Sequence, residues 1–151
     1  MKTETSFENG TLIVTRLYDQ PREEVFSAWI EASQTKHWWG CDQTTEVTSH
    51  IDAKVGGEYV HEMTIRNAGV HPVQGVLTVF DPPEKLAYQM PGMQEGEHMD
   101  VRVSFTEKAG GTEVQLTQSV IPADYGQIIT NGWAASFERL ARYFDGERRA
   151  A

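Results

Sequence analysis

The chain has 151 residues, 22 acids against 13 Lys and Arg, a formal net charge of −9 and one cysteine. That length suits one domain around one core, taken as residues 1–151, and the acidity repels phosphate backbones, which argues against a nucleic-acid partner. No apolar run nears the roughly 20 residues that span a bilayer, so no membrane partner is expected, and a lone cysteine excludes an intrachain disulfide.

The first residues, Met1-Lys2-Thr3-Glu4-Thr5, lack the apolar core of a secretory signal, so the expected location is cytoplasmic. Asn9-Gly10-Thr11 fits a glycosylation acceptor pattern, which carries no meaning in that setting. Leu12 to Tyr18 is β-rich and reads as the first strand. Pro21 at a first helical position, with Glu23 and Glu24 behind it, opens a helix whose Val25, Phe26, Trp29 and Ile30 share one face. Ser33 can cap a second short helix ending at Trp38-Trp39-Gly40.

Strands and turns follow. Thr45 to Ile51 is one strand, and Val55-Gly56-Gly57 a sharp turn or bulge. Tyr59, His61, Met63 and Ile65 alternate with polar neighbours at the strand period of two, and Asn67-Ala68-Gly69 turns the chain. Val73 to Phe80 and Lys85 to Met90 come next, parted by Asp81-Pro82-Pro83. Met99, Val101, Val103 and Phe105 alternate inward, Ala109-Gly110-Gly111 turns, and Val114, Leu116, Gln118 and Val120 alternate again. After Pro122 the period changes. Asp124 can cap a helix on which Tyr125, Ile129, Trp133, Phe137, Leu140 and Phe144 form one apolar stripe. The tail ends in a short basic pair, Arg148-Arg149.

Antiparallel strands closed by one amphipathic helix predict an α+β fold of about six to seven strands, the sheet supplying the surface that the helical stripe needs.

Four ordered stretches resemble a known family: Pro21-Arg22-Glu23-Glu24-Val25-Phe26-Ser27-Ala28-Trp29, Trp38-Trp39-Gly40, Gly56-Gly57-Glu58-Tyr59 and Gly132-Trp133. Gly75-Val76-Leu77, Pro82-Pro83-Glu84-Lys85-Leu86 and Gly111-Thr112-Glu113-Val114 add to them. Together they resemble the START-related helix-grip superfamily, and within it the stand-alone proteins similar to the C-terminal domain of the activator of Hsp90 ATPase. Cys41 stands where many of those relatives have proline. The resemblance implies a curved antiparallel sheet gripping the C-terminal helix, with a cavity between them, and no particular chemistry.

Catalytic and metal signals are sparse. His37, His50, His61, His71 and His98 are scattered and form no metal-ligand spacing, so no metal and no cofactor are expected. No nucleophile elbow, phosphate loop or dinucleotide fingerprint occurs, and Cys41 reads as a buried inert thiol. The leading expectation is therefore a binding protein for a hydrophobic small molecule. Its pocket would draw on Trp38 and Trp39, on Tyr59, His61, Met63 and Tyr88, on Met99, Val101, Phe105 and Gln118, and on Ile129, Trp133 and Phe137 of the last helix. His61 and Gln118 are its polar contacts and Trp39 stands near its mouth. For Gly132, close packing of helix on sheet is the commoner reason and room for a ligand the other. The resemblance adds a second reading, an interaction module for a chaperone ATPase. The third is a cyclase- or hydrolase-like enzyme using His61 with Tyr59 or Tyr88, for which no nucleophile–base–orienter set is visible. Monomer and homodimer both remain open.

Overall fold

The computed structural model describes residues 2–147; the basic pair Arg148-Arg149 lies outside them. The elements run β1 (Glu4–Glu8), β2 (Thr11–Tyr18), α1 (Arg22–Ile30), α2 (Ala32–Trp38), β3 (Thr44–Ile51), β4 (Glu58–Ile65), β5 (Gly69–Asp81), β6 (Lys85–Pro91), β7 (His98–Lys108), β8 (Gly111–Gln118) and α3 (Gly126–Arg142). A 3-10 turn, Ala123–Tyr125, leads into α3, and a π-helical turn, Tyr143–Glu147, follows it. The strands form one antiparallel sheet in the order β1-β2-β8-β7-β6-β5-β4-β3. This is the α+β helix-grip architecture, with eight strands where the sequence suggests six to seven.

The additional strand is β1. Asn9 and Gly10 both take left-handed φ angles, 53° and 79°, and Glu8 pairs with Thr11 across them. That is the two-residue type I′ hairpin which Asn-Gly favours, because both central positions need φ above zero. Ala109 and Gly110 repeat the geometry between β7 and β8.

Helix starts depart from expectation in detail. Pro21 occupies the N-cap of α1 with extended ψ of 158°, one position before the first helical residue. Glu31, not Ser33, caps α2, and Asp124 sits in the 3-10 turn while Tyr125 holds the N-cap of α3. None of these caps bonds a backbone N–H of its helix through its side chain; the Glu31 carboxylate instead accepts from Gln34 Nε2 at 2.9 Å. β5 begins at Gly69, four residues ahead of Val73, and includes Pro72. Its stretch before Val76 pairs with β4 alone, and such an edge tolerates proline. Val120 does not continue the inward row of β8: the strand ends at Gln118, and Val120 is exposed with φ of 64°, a rare conformation for a β-branched residue.

The core lies between the inner sheet face and the helices. Leu12, Val14, Leu77, Val101, Phe105, Val114 and Leu116 rise from the sheet to meet Val25, Phe26 and Trp29 of α1 and Phe137 and Leu140 of α3. Tyr18 Oη donates to the Phe137 carbonyl at 2.9 Å, and Arg16 pairs with Glu138, so β2 holds α3 by both polar and apolar contacts.

Candidate functional site

The stripe of α3 is not buried evenly. Phe137 and Leu140 are fully buried, Ile129 and Trp133 are half-buried, Tyr125 is exposed, and Ile128 is 70 % exposed. The helix packs on β1, β2 and α2, so it leans toward one side of the sheet. Beneath its first turns, on the other side, lies a cleft of about 270 Å³.

The floor of the cleft is Met63, Val73, Tyr88, Met90, Met99 and Gln118 on β4 to β8. Met93, from the loop before β7, and Ile128 form an exposed apolar rim. Trp39, Gly40 and Cys41 make one wall, and Ile129, Gly132, Trp133 and Ser136 of α3 make the roof. Four of the chain's five methionines are in this lining, and their flexible thioethers fit varied shapes. Among the described residues, no Asp, Glu, Lys, Arg or His lines it.

Gly132 supplies free space. A Cβ built there meets nothing within 4 Å, so close packing of helix on sheet is not its reason. Gly40 is the opposite case: its φ is 118°, and a Cβ there would sit 2.5 Å from Thr44 Oγ1. Ser136 clasps that turn to α3, its Oγ donating to the Gly40 carbonyl at 2.6 Å and accepting from the Gly40 N–H at 3.1 Å. Arg139 Nη1 adds a bond to the Cys41 carbonyl at 3.1 Å. The Trp-Trp-Gly stretch is thus pinned as a wall of the cleft. Cys41 is half-buried at that wall, rather than sealed in the core.

Gln118 is the polar group of the floor. Trp133 Nε1 donates to its Oε1 at 2.7 Å, which fixes the amide orientation, since an indole N–H can only donate. The Gln118 Nε2 then lies 3.5 Å from Met99 Sδ, a weak acceptor that leaves the amide able to serve a ligand oxygen.

His61 stands one layer deeper. It is fully buried and stacks on Trp39 with ring centres 3.6 Å apart. Its Nδ1 is 2.8 Å from Ser49 Oγ, which is 2.7 Å from Thr35 Oγ1. Its Nε2 is buried without a partner among the described residues, as is Tyr88 Oη. Burial depresses the His61 pKa from 6.5 to about 3, so the ring is neutral near pH 7, and burial pushes the Tyr88 phenol well up. Tyr59 Oη instead has a firm partner in the Trp29 carbonyl, at 2.7 Å.

The expected site residues therefore separate into two groups. Trp39, Met63, Tyr88, Met99, Gln118, Ile129 and Trp133 meet at the cleft. Trp38, Tyr59, His61, Val101, Phe105 and Phe137 are buried in the packing around and below it, Trp38 with its Nε1 bonded to the Ala28 carbonyl at 3.0 Å. Gly40, Cys41, Val73, Met90, Met93, Ile128 and Ser136 also line the cleft, outside the expected contacts, and Gly132 lines it as the room for a ligand that was the less common of its two readings. Met90 follows Leu86 and Tyr88 at the strand period of two, a signal available in the sequence. Ser136 has no such signal. Among the described residues, no three His, Cys, Asp or Glu side chains gather to hold a metal ion, and no helix is long and apolar enough to cross a membrane.

The family described as "Activator of Hsp90 ATPase homolog 1-like protein" matches residues 19–145. Among curated proteins none matches. Solved structures with the same fold include a protein of Chromobacterium violaceum, with TM-score 0.79 and 22% identity over 89% of this chain and 96% of that one. A protein of Rhodobacter sphaeroides gives TM-score 0.81 and 14% identity over 96% and 99%. The AHSA1 protein of Silicibacter pomeroyi gives TM-score 0.74 and 18% identity over 91% and 99%. At these identities the likeness shows the fold alone.

Proposed function

The chain belongs to the family of activator of Hsp90 ATPase homolog 1-like proteins, and from that premise we propose that it is a non-catalytic binding protein for a small, neutral, largely apolar molecule held between α3 and the sheet. The observation that carries this reading is the cleft under the first turns of α3, with its methionine-rich lining and one oriented amide. Ligand pockets have this make-up, mostly apolar with a few placed polar groups, and run from about 300 Å³ upward. A cleft of about 270 Å³ suits a ligand of one or two rings. The lack of charged lining disfavours an ionic ligand, because a buried charge needs a partner.

An enzyme would need an acid or base within reach of its substrate. Among the described lining residues only the Tyr88 phenol and the Cys41 thiol carry an acidic proton, and neither has a base beside it in the lining. The family's description supports a second reading, an interaction module for an Hsp90-type ATPase. The two readings separate in one pair of assays. Calorimetric titration with naphthalene should give saturable binding that Gly132→Leu weakens at least tenfold by filling the cleft. Equal binding to wild type and variant, or none to either, would overturn the ligand reading. Stimulation of a chaperone ATPase that Gly132→Leu leaves unchanged would favour the second.

A further inference from the structure

Resting on that reading, we propose that the cleft continues at its floor into a hydroxyl-binding subsite formed by His61 Nε2 and Tyr88 Oη, so that its ligand is a neutral alcohol or phenol. Two unpartnered buried polar atoms carry the inference. Buried polar side chains nearly always have partners, and an orphan costs on the order of a hydrogen bond. Here two such orphans flank one ring: Tyr59 lies 4.6 Å from His61 and 4.8 Å from Tyr88, centre to centre. Tyr88 leans from β6 across β5 toward β4, over Gly75, where an added Cβ would lie 2.7 Å from its ring. The neighbours of His61 on the same face are Met63, two residues along β4, and Val73, its partner on β5. Both line the cleft, as does Tyr88. Trp39, stacked on His61, is the ring that a ligand would move to reach the subsite.

The hydrogen-bond chain behind His61 sets what the subsite accepts. Thr35 Oγ1 donates to the Ala32 carbonyl at 3.4 Å, which can only accept. With the Thr35 proton on that carbonyl, the 2.7 Å contact requires Ser49 to donate to Thr35, and the 2.8 Å contact then requires His61 Nδ1–H to donate to Ser49, which is the tautomer the proposal rests on. This polarity leaves Nε2 bare, a lone pair in need of a donor. A ketone or ether oxygen would set lone pair against lone pair. A carboxylate would in addition be a buried anion with no cation in the lining. An amide N–H could donate to Nε2, but its nitrogen offers nothing to Tyr88. A hydroxyl does both: it donates to His61 Nε2 and accepts from Tyr88 Oη.

The test has a ligand-free arm and a ligand arm. The ¹⁵N shifts of His61 in labelled protein should report the Nδ1–H tautomer; an Nε2–H tautomer overturns the proposal and leaves the cleft reading untouched. In calorimetric titrations, 2-naphthol should bind about tenfold more tightly than 2-methoxynaphthalene, which has the same rings and no donor. 2-Naphthoate should bind more weakly than either. His61→Phe, which keeps a ring against Trp39, and Tyr88→Phe should each abolish the difference in affinity between 2-naphthol and 2-methoxynaphthalene measured on that same variant. Equal affinity for 2-naphthol and its methyl ether overturns the subsite but not the cleft. Failure of all the neutral probes overturns both.

Discussion

Single residues in and beneath this cleft carry opposite costs, and the two clearest are Gly132 in its roof and His61 one layer below its floor. Glycine inside a helix is about 1 kcal/mol less favourable than alanine, and a Cβ at Gly132 meets nothing. Gly132→Ala should therefore raise stability by up to about 1 kcal/mol in urea titrations. A loss of stability would mean that the free space is not there. His61 is held neutral by burial, with its pKa depressed from 6.5 to about 3. Between those pH values the unfolded chain binds a proton that the folded chain refuses, so this residue lowers stability as pH falls through that window. The full effect is on the order of several kcal/mol. His61→Phe should flatten the fall between pH 6.5 and pH 4 relative to wild type, while common acid effects of the carboxylates cancel in the comparison. Parallel pH–stability curves for the two proteins would refute the burial of a neutral imidazole.

At the scale of elements, α3 works as two halves. Phe137, packed against Tyr18 of β2 and Trp29 of α1, and Leu140 are fully buried, whereas Trp133 keeps one edge at the cleft. Phe137→Ala should cost about 3–5 kcal/mol, as for a fully buried aromatic. Trp133→Ala should cost clearly less, despite the larger side chain, because half-burial removes less area from water. The reverse order would place the cleft on the wrong end of the helix. The clasp between α3 and the Trp-Trp-Gly turn gives a third expectation. Ser136→Ala strands the buried N–H and C=O of Gly40 and should lower stability by roughly 1–3 kcal/mol, read from the same titrations.

These elements also mark where the sequence was legible. Period-two alternation located the inner faces of β4, β7 and β8, because each pits a buried face against a solvated one. The four-residue spacing of the α3 stripe identified its helix, but spacing cannot say which turns of a stripe touch a sheet. That depends on how the helix crosses it, a tertiary quantity. β1 is legible in the same terms: Asn9-Gly10 is a strong hairpin signal, because both central positions of the turn need φ above zero. Helix caps are not, since Pro21, Glu31 and Tyr125 hold positions that propensity assigns elsewhere.

For the whole molecule, the site follows from the way one helix closes one sheet. The sheet's rows come together where Met90 faces Met99 and Tyr88, Val101 and Gln118 sit side by side on β6, β7 and β8. Such a surface asks for apolar cover, and α3 covers it with an indole, an isoleucine and a glycine rather than with a continuous stripe. Candidate contacts on the strand faces were readable because alternation fixes orientation. The lining contributed by Ser136 and Met93 was not, because it depends on the tilt of α3 and the course of the loop before β7; Gly132 was readable only as a choice between close packing and room for a ligand. A molecule that leaves this gap when empty should be steadied when the gap is filled. A ligand that binds only the folded state adds about 2.7 kcal/mol at a hundred times its Kd. With 2-naphthol at that excess, the urea midpoint should rise accordingly, with an unchanged slope, since the same surface is exposed on unfolding. In Gly132→Leu, with binding weakened at least tenfold, the rise should fall to about half or less at the same probe concentration. A midpoint that does not move in the wild type, at a concentration where calorimetry shows saturation, would mean that the probe binds folded and unfolded chains alike, and the cleft would then not be its site.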